Sequence, residues 1–242
     1  MRPHFKETTM PEQLPSTRNQ ILNALPNNEL ELLLPHLERV NLPHAHILYR
    51  PDEKIEYVYF PDGAMISIIA YTEGGQSAEV GIIGGEGAAG VDAVLGAEST
   101  PNESVVQFGS GALRIKTETI RKYFGQCGVL HDSLLSFTQK LMMQISQKAL
   151  CNRLHPLDER LSRWLLMCHD RSDSNHLRVT QELLAVMLGA TRASVTLAAI
   201  EMQNTGYITY SRGNITIVDR DGLESITCDC YETIRRAYKG KK

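Results

Sequence analysis

Residues Gly85 to Gly90 read GEGAAG, a literal G-x-G-x-x-G, and they follow the apolar run EVGIIG. In a dinucleotide-binding unit, such a loop lets the backbone approach a pyrophosphate, and the helix it opens favours the negative charge. That chemistry needs a βαβ unit of about 30 residues with the helix directly after the glycines. Here AAGVDAVLG is brief and the loop-like STPNE comes next. The stretch has the letters of a nucleotide loop without its context. No P-loop lysine, metal-binding helix motif or Ser/His/Asp order accompanies it, so the chain does not read as an enzyme.

Other residues with chemical potential are scattered. Five cysteines, at 127, 151, 168, 228 and 230, are odd in number and widely spaced, which argues against a disulfide framework and suits a reducing compartment. Cys228 and Cys230 form a C-x-C, too short to specify a metal alone; the expectation is two small residues near a helix start. His44 and His46 would share one face of a strand, a pairing able to hold metal or haem, but no further ligands lie near them in sequence. They are expected to be surface or structural histidines, with no metal and no cofactor. A thiol switch at Cys127 or Cys151 is a further chemistry open to the chain.

The chain has 242 residues, a net charge of −3 and 42% hydrophobic residues, which suits one or two ordinary globular domains. No apolar run approaches the ~20 residues of a membrane span, and MRPHFKETTM has no apolar core for a signal peptide. A cytoplasmic protein without a membrane partner is expected. Charge is uneven: residues 1–152 carry 12 Lys/Arg against 17 Asp/Glu, and the remainder 13 against 11. The basic balance of the C-terminal part points weakly toward a polyanion.

These residues need elements to position them. Residues 1–20 are polar and proline-bearing and read as a flexible arm. ILNALPNNELELLLPHLERVNL has leucines at helical spacing, punctuated by Pro26 and Pro35, and predicts one or two short helices. From about Ala45 to Ile115, short β-rich runs (HILYR, YVYF, MISIIAY, AEVGIIG, SVVQF, ALRI) alternate with turns such as PDG and TEGGQ, which predicts an all-β roll, barrel or sandwich. The sensor-like β-domain is bounded at 21–127. Residues 128–154 predict one long helix with the apolar stripe Leu130, Leu134, Phe137, Leu141 and Ile145. A second copy of the chain is the expected cover for this stripe; packing on its own β-domain is the alternative.

Residues 155–242 form the last unit. PLDERLSRWLLMCHD begins a helix with Pro156 and two acids in the first turn. VTQELLAVMLG reads as a short helix capped by Thr180 and stopped at Gly189, and ATRASVTLAAIEMQNTG as a second helix capped by Thr191. YITYSRGNITIVD reads as a hairpin turning at Ser211 to Asn214. Helix, glycine-bearing turn, helix, hairpin is the order of a winged helix-turn-helix. The second helix would bury Val195, Ala199 and Met202. Its opposite side would offer Arg192, Ala193 and Thr196 to a major groove, where arginine can bind guanine bidentately. Thr191 and Ser194 suit phosphate oxygens, Thr180 is counted with the same DNA-binding set, and Arg212 at the wing tip could reach the backbone.

The stretch LRVTQELLAVMLGATRASVTLAAIEMQNTGYITYSRGNITIVDRDGLE resembles the C-terminal DNA-binding domain of the Crp/Fnr family of bacterial transcription regulators. The order β-roll then long helix is similar to that family's sensor domain and dimerisation helix. The resemblance implies an α+β chain: an antiparallel β-roll of the cyclic-nucleotide-binding jelly-roll kind, a dimerisation helix and a winged helix-turn-helix. It implies a homodimer on palindromic double-stranded DNA and RNA polymerase as a partner. It places Arg192 at the family's first base-reading arginine and Thr191 at a phosphate contact. Two family contacts are replaced, by Ala193 and by Leu197, so an operator unlike the family's best-known half-site is expected, with Ala193 or Leu197 against a thymine methyl.

In the same family the β-roll often binds a cyclic nucleotide through a cassette that starts Gly-Glu and ends in an arginine followed by a hydroxyl residue. Here Val91 and Asp92 follow Gly90, and Asn102 and Glu103 precede Ser104. The segment from Gly84 to Glu103 has four acids and no Lys or Arg. Without an arginine the charge-assisted phosphate bonds are lost, so cyclic AMP is not expected to bind tightly. Cysteine ligands near the N-terminus, which oxygen-sensing members use for an iron–sulfur cluster, are missing, since the first cysteine is Cys127. The other readings are an effector-binding β-roll acting through protein partners and a redox-responsive regulator.

Overall fold

The computed structural model describes residues 17–239; residues 1–16, most of the expected arm, and 240–242 lie outside it. The end of that arm is built into the fold: Asn19 is fully buried and its side-chain amide donates to the carbonyls of Pro61 and Gly87. Its side-chain oxygen caps α1 (Gln20–Asn23), and Pro26 opens α2 (Asn27–Leu33).

Seven strands follow: β1 (Glu38–Asn41), β2 (Ile47–Tyr49), β3 (Tyr57–Asp62), β4 (Met65–Tyr71), β5 (Ser77–Ile83), β6 (Glu103–Phe108) and β7 (Gly111–Lys116). They form two antiparallel sheets, ordered β1-β7-β3 and β2-β6-β4-β5. Apolar partners meet across the ladders, Phe60 opposite Leu113 and Ile66 opposite Val106, and all four are buried between the sheets. The segment ERVN, read from sequence as the tail of a helix, is strand β1. Helical bonding gives way at Pro35 to a single 3₁₀ turn, and Val40 then pairs with Ala112.

Two short helices complete this unit, α3 (Val91–Val94) and α4 (Thr117–Phe124). The long helix α5 (Val129–Leu154) comes next, its first N–H groups accepted by the Glu29 carboxylate at 2.8 Å. The expected dimer stripe turns inward: Leu130, Leu134, Phe137 and Leu141 are buried in the core of the chain's own β-roll, with Ile145 packed against it. A β-roll of this size needs a lid for its open face, and the strongest apolar stripe of α5 supplies it. The large apolar residues that α5 leaves exposed are Val129, Leu135, Met142, Leu150 and Leu154.

The C-terminal unit contains α6 (Leu157–His169), β8 (His176–Arg178), α7 (Gln181–Leu188), α8 (Arg192–Asn204), β9 (Ile208–Ser211), β10 (Asn214–Ile217), α9 (Arg220–Ile226) and α10 (Asp229–Lys239). Its sheet is ordered β8-β10-β9. Its core includes Trp164, Leu184, Val195, Met202 and Ile215, and it takes in Met65, Ile69 and Ile82 from the β-roll.

Two buried polar clusters join the units. Glu79 on β5 accepts from Lys148 Nζ on α5 (2.5 Å), from Ser67 Oγ (2.6 Å) and from Trp164 Nε1 on α6 (3.3 Å). Burial pulls the Lys148 ammonium below its ordinary pKa against the attraction of Glu79, and Arg163 adds to the lowering. Glu86, inside the GEGAAG loop, is held at 2.8 Å by Arg171 from the loop after α6. No single helix among the described residues is long and apolar enough to cross a membrane.

Candidate DNA-binding interface and sensor segment

The helix pair α7–α8 is built by local chemistry. Thr180 caps α7 by accepting from Leu183 N at 3.2 Å, and Gly189 closes it in the left-handed region at φ 55°. Thr191 caps α8 in the same way through Ser194 N at 3.2 Å, and its hydroxyl also meets the Ser194 hydroxyl at 2.9 Å. Two caps around one left-handed glycine fix a tight turn between two helices. Val195, Ala198, Ala199 and Met202 bury the inner face of α8.

The outer face of α8 is open. Arg192, Ala193 and Ser194 are exposed, Thr196 is half-buried with its hydroxyl bonded to the Arg192 carbonyl, and Leu197 is 70% exposed. One turn further on, Ile200 is 49% exposed, a member of this face that the sequence reading missed. Its i, i+3 spacing from Leu197 was the available signal. Arg192 does not project freely: its Nη1 pairs with Glu182 at 2.7 Å and its Nε reaches the Gln181 side chain at 3.4 Å.

Beside α8, β9 and β10 form the wing. Its tip carries Arg212 at φ 49° and Gly213 at φ 77°, consecutive left-handed residues that turn the hairpin in two positions. Arg212 is exposed at the tip, and exposed Arg178 lies on β8, paired with Asn214 of β10. Exposed arginines thus stand on α8, on β8 and at the wing tip, and the centre of the outer face of α8 is apolar.

The β-roll segment is different. Gly90 stands at φ 90° before α3, with Val91 buried and Asp92 exposed. Glu103, where the resemblance would place the end of the cassette, accepts from the Tyr71 hydroxyl on β4 at 2.9 Å. Asn102 is half-buried and Ser104 buried beside it. Tyr49, Val91 and Val106 are buried, and an open cleft of about 450 Å³ is lined by Ile55 and by both cations and acids, Lys54, Lys116 and Arg121 with Glu56, Glu98 and Glu118. GEGAAG serves packing: a side chain at Gly87 would fall 2.1 Å from the Phe137 ring of α5, so only glycine lets the helix seat there.

The histidine pair is not on a strand. His44 and Ala45 lie in a turn before β2, Ala45 at φ 62°, and His44 Nδ1 contacts the Gln107 carbonyl at 2.6 Å. Of the cysteines, Cys127 is exposed and Cys168 buried. Cys228 and Cys230, expected to be unremarkable, meet Cys151 and His155 in space. A hydrogen bond with Cys228 and the charge of Arg163 lower the Cys151 thiol below its ordinary pKa against the opposing effect of burial.

A β-roll joined through a long helix to a winged helix-turn-helix is the architecture these elements build. Residues 159–226 match the Crp-like helix-turn-helix domain. No curated protein matches the sequence. Among solved structures, the chain is similar to a putative transcriptional regulator of the Crp/Fnr family from Eubacterium rectale, at 16% identity and TM-score 0.69, covering 86% of this chain and 98% of that one. It is similar to FixK2 from Bradyrhizobium japonicum at 15% identity and TM-score 0.67, covering 79% and 98%. It is also similar to the c-di-GMP-responsive global regulator CLP from Xanthomonas campestris at 17% identity and TM-score 0.61, covering 78% and 98%. The chain therefore combines the fold of Crp/Fnr-type transcription regulators with a Crp-like helix-turn-helix, a DNA-binding domain.

Proposed function

We propose that the chain is a sequence-specific transcription regulator that binds a palindromic operator as a homodimer and does not depend on cyclic AMP. The observation that carries the reading is the outer face of α8: one arginine, hydroxyls at the helix N-terminus, and exposed Ala193, Leu197 and Ile200 in the middle. Arg192 reads a guanine once Glu182 releases it, and Leu197 and Ile200 lie against thymine methyls. Thr191, Ser194, Arg178 and Arg212 contact phosphates, and Thr180 holds α7 in register. This mixture favours half-sites with one strong G·C contact flanked by A·T pairs.

Dimerisation through α5 uses the exposed set Leu135, Met142, Leu150 and Leu154, because the stripe first expected there is already covered. In the β-roll, the acidic cassette and the outward bond of Glu103 support a sensor that rejects a cyclic phosphate. Cytoplasmic location and contact with RNA polymerase follow from the same reading. A mobility-shift titration on the chain's own upstream DNA tests it. Specific binding should fall steeply with salt, and Arg192→Ala should weaken it more than non-specific binding. Equal losses on both kinds of DNA would refute the base-reading role. Micromolar binding of cyclic AMP by calorimetry would refute the sensor reading.

A further inference from the structure

At the foot of α5, four residues distant in sequence converge. Cys151 and His155 lie four positions apart at the helix end, so one turn stacks them. Cys228 and Cys230 flank the first residue of α10. The sulfurs of Cys151 and Cys228 are 3.5 Å apart, Cys230 Sγ is 3.4 Å from His155 Nδ1, and all four ligand atoms lie within 4.8 Å of one another. For Zn–S near 2.3 Å and Zn–N near 2.0–2.1 Å, tetrahedral geometry sets S···S at roughly 3.8 Å and S···N at roughly 3.6 Å. The Cys151–Cys228 and Cys230–His155 separations are close to those edges, and three thiolates with one imidazole make a closed ligand set.

The surroundings fit a metal better than free thiols. Arg163 is 2% exposed, its Nε and Nη2 have no hydrogen-bond partner, and its Nη1 meets only the Met167 sulfur at 3.3 Å. A buried guanidinium with two unpartnered nitrogens needs negative charge nearby. Three thiolates around a divalent ion leave one net negative charge, which Arg163 balances. The outer partners are also in place. His155 turns Nε2 toward Asp229 Oδ1 at 3.7 Å, leaving Nδ1 to face the sulfurs, and Gln147 Nε2 donates to Cys230 Sγ at 3.2 Å. A carboxylate behind a ligating imidazole and an amide on a thiolate are the usual supports of such a site.

We propose that Cys151, His155, Cys228 and Cys230 bind one zinc ion per chain in a closed structural site. The ion clamps the end of α5 to α10, at the junction where the C-terminal unit begins. The site is too compact for a polynuclear iron–sulfur cluster, whose terminal ligands sit on separate irons. A disulfide between Cys151 and Cys228 would use two of the sulfurs and leave Cys230 and His155 unexplained.

The test is elemental analysis of the full chain purified under reducing conditions, together with the absorption of the cobalt-substituted chain. One zinc per chain is expected, and cobalt should give the intense d–d and thiolate charge-transfer bands of a tetrahedral S₃N site. Cys228→Ser and His155→Ala should each lose metal, whereas Cys127→Ser, at the exposed cysteine, should keep it. If the site variants do not fold, titration of wild-type thiols with a mercurial should release one zinc per three sulfurs. The proposal is overturned if the reduced wild-type chain takes up neither zinc nor cobalt. It is also overturned if iron is the only bound metal, or if zinc persists in the Cys151→Ser/Cys228→Ser/Cys230→Ser variant. None of these readouts depends on DNA binding.

Discussion

Glu79→Gln should separate packing from electrostatics at the joint between the two units. Glu79 and Lys148 are 2% and 5% exposed at their side chains and lie 2.5 Å apart. The amide of glutamine keeps the shape and can still accept from Ser67 and Trp164, but it no longer neutralises the ammonium. Leaving one member of a buried pair uncompensated costs about 3–5 kcal/mol. With a urea slope of up to about 3 kcal/mol/M, the unfolding midpoint should fall by about 1–2 M. Trp164 is the chain's single tryptophan and bonds to Glu79, so its fluorescence reports the joint directly. The pH dependence has a defined sign. The pKa of Lys148 is lowered in the fold, so between its folded value and its ordinary 10.5 the unfolded chain holds more protons and stability rises with pH. In Glu79→Gln this rise should begin at lower pH, because nothing then helps Lys148 keep its proton. Glu79→Gln/Lys148→Met should recover most of the loss. A Glu79→Gln midpoint within about 0.2 M of wild type, with an unchanged pH profile, would refute an electrostatic role for the pair.

Three further outcomes are expected. Gly87→Ala should destabilise the β-roll by at least about 1–3 kcal/mol by denaturant titration, since the added methyl meets the Phe137 ring; a neutral effect would mean the ring has room to move. Glu182→Ala should raise operator affinity by about two- to fivefold, because a surface ion pair holding Arg192 is worth up to about 1 kcal/mol; unchanged or weaker binding would show that the pair does not restrain the arginine. Met142→Glu/Leu150→Glu should convert a dimer to a monomer in sedimentation with little loss of stability; a persistent dimer would place the interface elsewhere.

The parts of the fold governed by local rules were legible in the sequence. Thr180, Gly189 and Thr191 announce the helix pair because capping and the left-handed turn act within a few residues. Strands β2 to β7 were legible because their apolar runs are bounded by turn residues, whereas β1 was hidden in a run of helically spaced leucines. What the sequence hid depends on distant partners. The stripe of α5 is equally compatible with a second chain or the β-roll, and only the tertiary fold shows Phe137 seated over Gly87. The C-x-C gains its meaning from Cys151 and His155, some 75 residues earlier in the chain. The role of Glu86 likewise rests on Arg171, which lies 85 positions away. The GEGAAG glycines were visible as letters, but the need for glycine is steric at Gly87 and conformational at Gly90.

The most direct test of the central claim is selection of binding sites from random double-stranded DNA by the wild-type chain and by Arg192→Ala. The wild type should enrich an inverted repeat whose half-site has one conserved G·C pair beside A·T pairs, and Arg192→Ala should lose preference at that G·C pair alone. Recovery of the half-site TGTGA would contradict the assigned roles of Ala193 and Leu197, and enrichment of no sequence would contradict sequence-specific binding through α8.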